Sequence, residues 1–326
     1  MTEQPTFFAA LEQALDPLLA ASNLLSLIDR ADRSGLLRSL RDGFQPDGDP
    51  VALCLALVAH GVAEAEPDGS GYRLTPAWRA LTSDDNFVTV GSVIARGRVV
   101  DDMLACEIGY ADLSPADRLV FARGVSPNPF SAGLVEGFRR DLAADPYWAG
   151  MADGARYLEL GCGVAGRLLT LLQAEPTLRA VGVELDPHLA EEARRRAAAL
   201  GVADRVEFVA GDATTYRGEE PFDAGFWAQW FFPAETREAA LASLFANLRS
   251  GAVVRAPLFG DHAKMAAEPD GVEARSYATE RVMLDGWGVP ERTPEQLVAE
   301  IHAAGFVDGA VVTRDGGLVA VYARRP

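Results

Sequence analysis

The stretch from Tyr157 to Gly166, read Y-L-E-L-G-C-G-V-A-G, constrains the fold more than any other part of this 326-residue chain. A short apolar run with one acid, Glu159, leads into three closely spaced glycines, and residues 167–173 continue with helical character. This order predicts a strand, a tight turn and a helix, with a ligand lying against the bare backbone of the turn. The free N–H groups of the helix N-terminus would point at that ligand.

The spacing Gly161-x-Gly163-x-x-Gly166 also matches the fingerprint of dinucleotide-binding proteins, which by itself is a weak signal. Glu159 favours a different ligand, because a carboxylate two positions before the first glycine is unfavourable beside a pyrophosphate. The acid suits a ligand that carries an ammonium and a sulfonium group, such as S-adenosylmethionine. A dinucleotide, and a glycine turn without any ligand, are the alternatives.

Two further predicted strands are each followed by an acid. Residues 180–183 are typical of a buried parallel strand and lead into Glu184 and Leu185, and residues 206–210 lead into Gly211 and Asp212. An acid about 20 positions past the glycines is placed to accept hydrogen bonds from ribose hydroxyls. Asp212 is placed to accept a hydrogen bond from the exocyclic amine of adenine.

In these residues the sequence resembles the class I S-adenosylmethionine-dependent methyltransferases. Their E/D-x-G-x-G loop, second-strand acid and G-D-A turn match Glu159 to Gly163, Glu184 and Asp212-Ala213. The resemblance implies an α/β fold, a Rossmann-like domain of seven strands over residues 151–326, and S-adenosyl-L-methionine as the cofactor. The cofactor-binding residues that it implies are Glu159, Gly161, Gly163, Glu184, Leu185, Asp212, Ala213 and Trp227.

The N-terminal third has the outline of a winged helix. Helical spacing of apolar residues over 7–21 and 23–40, a helix over 51–60, and two short strands around 62–66 and 72–75 give this pattern. DNA binding is disfavoured, because residues 1–90 hold 13 Asp and Glu against 6 Arg (6 − 13 = −7) and the recognition helix has no Lys or Arg.

This mainly helical region also resembles the N-terminal dimerisation domain of methyltransferases that modify small secondary metabolites. The resemblance implies a homodimer, and an ordinary monomeric core is the alternative. We expect a dimerisation domain over residues 1–85, a helical linker that covers the acceptor pocket over 86–150, and the cofactor-binding domain over 151–326.

Composition limits the partners and the cellular compartment that are expected for this protein. The formal net charge of −17 argues against nucleic acid or an anionic membrane as a partner. Three cysteines in unrelated contexts imply no disulfide framework and suit a reducing cytoplasm. Neither a signal peptide nor an apolar stretch of membrane-spanning length is visible, so a cytoplasmic protein is expected.

Large aromatic side chains follow the fourth predicted strand, residues 222–226. Ligands of open α/β sheets bind outside the carboxyl ends of the strands, so these aromatics predict an acceptor wall. The predicted substrate-binding residues are Trp230, Phe231, Phe232 and Met103. Packing at a domain interface is the alternative for some of them.

The small-molecule O-methyltransferase branch carries a G-x-E-R-T segment, in which the glutamate lies beside the catalytic histidine. Glu291 takes the place of that glutamate, but the position of the histidine falls at Phe232. A phenol-type hydroxyl, with a pKa of about 10, usually needs a base before it attacks a methyl sulfonium. The replacement base that we predict is His262, with Asp261 beside it. A metal site at these two residues is weakly indicated, and none is expected.

The sequence therefore predicts transfer of a methyl group from S-adenosylmethionine to a small molecule at N, C or O. Two alternatives stay open. One is an enzyme of this fold that uses the pocket for another reaction, such as a cyclisation. The other is a regulator that senses the cofactor.

Overall fold

A computed structural model describes residues 15–45, 50–83, 85–106, 108–148, 153–258, 262–313 and 319–326. The chain divides into two compact units, Met1–Ala95 and Arg96–Pro326. The division falls within one helix, Val90–Cys106. The three-part division expected from the sequence remains a prediction.

The first unit combines helices with a small antiparallel sheet. Its elements are α1 (Asp16–Arg33), α2 (Leu36–Asp42), α3 (Pro50–Ala59), β1 (Ala63–Ala65), β2 (Tyr72–Leu74), α4 (Pro76–Leu81) and the start of α5 (Val90–Cys106). Strands β1 and β2 pair antiparallel, as the predicted wing requires. A core that includes Ile28, Leu40, Leu57 and Leu74 holds these elements together.

One prediction for this unit is wrong. Helix α1 runs without a break through Ser22, where the sequence analysis placed a boundary, because Ala21-Ser-Asn23 contains neither proline nor glycine to interrupt it. The interruption comes at Gly35, which takes a left-handed conformation (φ 76°) between α1 and α2. The start of the first predicted helix, before residue 15, lies outside the described residues.

The second unit begins with helices and continues as an alternating α/β domain. Its elements after α5 are α6 (Pro115–Val125), α7 (Ala132–Ala144), β3 (Arg156–Leu160), α8 (Gly166–Ala174), β4 (Arg179–Glu184), α9 (Pro187–Ala199), β5 (Val206–Ala210), β6 (Phe222–Trp227), α10 (Ala234–Asn247), β7 (Leu248–Pro257), α11 (His262–Ala267), α12 (Val272–Gly286), α13 (Pro294–Ala303), β8 (Val307–Thr313) and β9 (Val319–Arg324).

These strands form one seven-stranded sheet in the order β5-β4-β3-β6-β7-β9-β8. The strands from β5 to β7 are parallel, and β9 pairs antiparallel with both β7 and β8. The predicted α/β, Rossmann-like fold with a seven-stranded sheet is thus confirmed. Because β3, β4, β5 and β6 run parallel, their carboxyl ends lie at one edge of the sheet. Buried clusters cover both faces, around Leu160 and Leu244 on one side and Tyr157 and Leu168 on the other.

Candidate active site

The glycine turn between β3 and α8 has the predicted strand–turn–helix geometry. Gly161 (φ 74°) and Gly163 (φ 55°) both adopt left-handed conformations. A Cβ at Gly163 would meet nothing within 4 Å, so this backbone faces open space. The turn therefore offers bare backbone at the carboxyl edge of the sheet, where ligands of such sheets bind.

Glu184, at the end of β4, holds the turn in place. Its Oε2 accepts a hydrogen bond from the Gly163 N–H at 2.8 Å, and its Oε1 accepts one from the Asp186 N–H at 2.9 Å. Burial raises the pKa of Glu184, although these backbone N–H groups oppose the shift. The carboxylate thus connects the first two strand ends and retains lone pairs that can accept from the hydroxyls of a ribose.

The N-terminus of α8 is covered by the chain itself. The Gly166 N–H donates to Ser126 Oγ at 3.0 Å, and a Cβ on Gly166 would overlap the carbonyl oxygen of Pro127. In a dinucleotide-binding protein a pyrophosphate lies at this helix end. Because Ser126 and Pro127 take that position, the turn is better suited to a ligand without phosphate.

The residues that follow β4 and β5 include one exposed leucine and one exposed acid. Leu185 is 73% exposed directly after Glu184, and Asp212 is exposed after β5. Asp212 Oδ1 accepts from the Thr214 N–H at 2.8 Å, which orients its carboxylate. Ala213 is buried beneath them. The four predicted residues Glu184, Leu185, Asp212 and Ala213 are thus brought together at one edge.

Glu159 makes a contact that sequence reasoning missed. Its side chain is buried, and Oε2 accepts from Arg167 Nη1 at 2.8 Å. Arg167 also donates to the Tyr157 hydroxyl at 2.8 Å and lies 3.8 Å from the centroid of the Phe226 ring. Burial raises the pKa of Glu159, and Arg167 opposes that shift. A basic residue at the second position of α8 was the available signal for this ion pair. The role of Glu159 toward the cofactor stays a prediction.

The aromatic residues after β6 take different positions. Trp227 and Phe232 lie in the core of the sheet, with ring centroids 5.7 Å apart, while Trp230 and Phe231 are half-buried. Phe232, which stands where the resembled methyltransferases have a histidine, therefore packs in the core against Trp227. The predicted ligand contacts of Trp227, Trp230, Phe231 and Phe232 stay predictions.

A buried ion pair that the sequence analysis missed holds this segment. Arg237 is 1% exposed; it donates to Glu300 Oε1 at 2.7 Å and to the Gln229 backbone oxygen at 2.7 Å. Gln229 Nε2 in turn donates to the Pro257 oxygen at 3.1 Å, at the end of β7. The network joins the ends of two strands to α10 and α13, so the aromatic segment has one defined position.

A second aromatic cluster lies close to the same edge. Tyr110 stacks on Trp287 at 4.4 Å between centroids, and Phe231 lies 5.8 Å from Trp287. Burial, with smaller contributions from the charges of Glu184 and Asp186, raises the pKa of Tyr110. Met103, a predicted substrate-binding residue, is buried in the same cluster. The cluster connects the surroundings of Glu184, the predicted ribose-binding acid, with the segment that leads to Glu291.

The predicted catalytic residues are only partly described. Glu291 is exposed, and its Oε1 accepts a hydrogen bond from the Tyr277 hydroxyl at 2.5 Å. Asp261 and the side chain of His262 lie outside the described residues, so their roles stay predictions. Within the described ranges, no group of three or more His, Cys, Asp or Glu has the geometry to hold a metal ion. None of the helices that the structure describes is long and apolar enough to span a membrane.

Comparison with known proteins places part of the second unit in a known family. Residues 158–251 match the family described as "Methyltransferase domain". Erythromycin 3''-O-methyltransferase of Saccharopolyspora erythraea is 29% identical over 185 residues, which are 55% of this chain and 60% of that protein. The chain thus spans somewhat under two thirds of the length of this relative.

Solved structures extend the likeness to the whole chain. An O-methyltransferase family protein from Burkholderia thailandensis superimposes with a TM-score of 0.71 at 14% identity, over 99% of both chains. Human N-acetylserotonin methyltransferase in complex with SAM gives a TM-score of 0.70 at 13% identity, over 100% of this chain and 99% of that one. Residues 158–251 therefore form a methyltransferase domain, and the chain has the Rossmann-like fold of the class I S-adenosylmethionine-dependent methyltransferases.

Proposed function

We propose that this protein transfers a methyl group from S-adenosyl-L-methionine to a small-molecule acceptor, as an enzyme of secondary metabolism. The observation that supports the cofactor is the edge formed by the open backbone at Gly163, the Glu184 carboxylate, exposed Leu185 and oriented Asp212. The covered N-terminus of α8 favours a ligand without phosphate over a dinucleotide.

The residues at this edge fit S-adenosylmethionine by their chemistry. Glu184 accepts from the ribose hydroxyls, Leu185 packs on the adenine ring, and Asp212 accepts from the adenine amine. When bound, the cofactor supplies an electrophilic methyl group on a sulfonium. The protein's own contribution is alignment of the acceptor with that methyl group and exclusion of water, which together lower the barrier to in-line displacement.

Names of the compared proteins support a small-molecule acceptor. One is a methyltransferase for erythromycin, and another is a methyltransferase for N-acetylserotonin. We place the acceptor beside Trp230 and Phe231, which are half-buried at the carboxyl end of β6. Glu291, and the predicted pair Asp261-His262, supply the polar groups there.

Calorimetric titration with S-adenosylhomocysteine and then with NAD tests the cofactor. We expect micromolar binding of the first and none of the second. Glu184→Ala should weaken S-adenosylhomocysteine binding by about 1–3 kcal/mol, because the ribose hydroxyls lose their acceptor. Glu191→Ala, which removes an exposed acid of α9, is the control and should bind normally. Binding of NAD alone would favour the dinucleotide alternative.

Product analysis tests the reaction. Formation of S-adenosylhomocysteine in step with a methylated acceptor is expected. Conversion of an acceptor with S-adenosylmethionine left unconsumed would instead support another reaction in the same pocket.

We also infer that the protein is a homodimer through α1. Leu18 is 66% exposed and Leu25 is 55% exposed, seven residues apart on one face of that helix, and Leu15 and Leu19 are exposed as well. Exposed apolar stripes of this kind are usually covered by a partner. A second copy of the chain is the partner that the family resemblance implies.

A further inference from the structure

Tyr277 and Glu291 form a hydrogen-bonded pair that lies outside residues 158–251, the range that matches the methyltransferase family. Tyr277 lies on α12, and Glu291 lies in the segment between α12 and α13. The Tyr277 hydroxyl donates to Glu291 Oε1 at 2.5 Å. This pair therefore fixes the direction of a carboxylate that is otherwise exposed.

The segment that carries Glu291 packs against the aromatic residues after β6. Val289 is buried in the cluster that also contains Phe231 and Trp287. The Gly288 carbonyl accepts a hydrogen bond from the Ala234 N–H at 2.9 Å, at the start of α10. Glu291 thus follows, by two residues, a member of the cluster against which Phe231 of the proposed acceptor wall packs.

The phenol in this pair is a donor and not a base. Burial is the largest cause that raises the pKa of Tyr277, and Glu291 raises it further, while Arg281 opposes the shift. Tyr277 therefore keeps its proton at neutral pH and holds one carboxylate oxygen by a hydrogen bond. The carboxylate of Glu291 still has a second oxygen with which to accept from a ligand.

We propose that Tyr277 is a positioning residue, which directs the Glu291 carboxylate at the acceptor and selects acceptors that carry an O–H or N–H donor. The inference rests on the proposed function and narrows it: the methylated group is a hydroxyl or an amine. The resembled methyltransferases have a histidine at the position of Phe232, which here is buried in the core. The Glu291 carboxylate therefore takes over recognition of the acceptor's proton. An acceptor without a donor leaves the second oxygen of this carboxylate without a hydrogen bond on binding, which costs affinity.

A pair of matched probes tests this selection. We would saturate the full-length protein with S-adenosylhomocysteine and measure the affinities of 2-naphthol and of 2-methoxynaphthalene, which lacks the donor. We expect 2-naphthol to bind the wild type at least roughly tenfold more tightly, since a carboxylate accepts its O–H. Glu291→Gln should bring the ratio close to one, because the amide oxygen meets Tyr277 and the NH2 group faces the probe.

Tyr277→Phe should reduce the ratio without reaching one, since Glu291 remains but loses its fixed direction. Tyr322→Phe is the matched control. Tyr322, on β9, donates to Asp145 at the end of α7, so loss of its hydroxyl should leave the ratio unchanged. A purely structural role of Tyr277 would lower both affinities and preserve their ratio.

The outcomes distinguish the proposed function from the inference about Tyr277 and Glu291. Failure of the wild type to bind S-adenosylhomocysteine would count against the proposed function itself. Normal S-adenosylhomocysteine binding with equal affinity for the two probes, or with affinity for neither, would overturn the inference alone. An unchanged ratio in Glu291→Gln would do the same.

Discussion

Three glycines in one turn are needed for three different physical reasons. Gly161 has a left-handed φ, and a Cβ there would lie 3.1 Å from the Phe232 ring. Gly163 is also left-handed but faces open space, so its backbone is available to a ligand. Gly166 has an ordinary helical conformation, and the chain at Pro127 approaches it too closely for any side chain. Of the three, only Gly163 leaves its backbone open to a ligand.

Gly166→Ala should therefore destabilise the unit Arg96–Pro326 by about 1–3 kcal/mol, because the new methyl group overlaps the Pro127 carbonyl. The measurement is urea unfolding followed by tryptophan fluorescence. Gly97→Ala is the control: Gly97 is inside α5 with nothing within 4 Å of its Cβ position. That change should be neutral or should stabilise by up to about 1 kcal/mol. Equal effects of the two substitutions would contradict the close approach at Gly166.

At the scale of elements, networks of charged side chains join helices that are separate along the chain. Arg237 joins α10 to α13 through Glu300, and it holds the segment after β6 through Gln229. A comparable network links α6 to α9, where Glu192 is 7% exposed and accepts from Arg123, Arg195 and Arg196. Breaking one partner of a buried pair is costly, because the other charge stays buried and unpaired.

The Glu192 network predicts a specific pH dependence of stability. Burial alone would raise the pKa of Glu192, but the hydrogen bonds from the three arginines outweigh burial and lower it from 4.5 to about 2. Its folded-state pKa is thus below the unfolded value, so its stabilising contribution is complete above about pH 4.5 and is lost as the pH falls toward 2.

Glu192→Gln should accordingly be less stable than the wild type at pH 6, and the difference should shrink as the pH is lowered to 3.5. Urea midpoints at both values measure this. Glu191→Gln, with only an exposed pair to Arg194, should follow the wild type. A constant difference between Glu192→Gln and the wild type at the two pH values would refute the assignment.

At the scale of the whole molecule, the exposed leucines of α1 predict the oligomeric state. The wild type should elute in light-scattering chromatography at about twice its 34.8 kDa chain mass. Leu18→Glu with Leu25→Glu should give the monomer, because charges replace the apolar stripe. Val272→Glu with Val282→Glu removes equally exposed valines from α12 and should leave the dimer intact. A monomeric wild type would rule out the homodimer.

Sequence patterns of short range gave good predictions. The first four strands of the large sheet, the glycine turn and the acids after β4 and β5 were found, because periodicity and the φ preference of glycine act within a few residues. The break inside α1 was predicted wrongly, since Ser and Asn are only weakly unfavourable in helices.

The sequence by itself thus determined the first four strands of the large sheet, the glycine turn and which acids follow β4 and β5. Only the tertiary structure decided that Arg167 neutralises Glu159, that Ser126 covers the N-terminus of α8 and that Tyr277 holds Glu291. These partners lie 8, 40 and 14 residues apart along the chain. Such pairs form when packing of whole helices and loops onto the sheet brings their side chains within hydrogen-bonding distance, which no local propensity encodes.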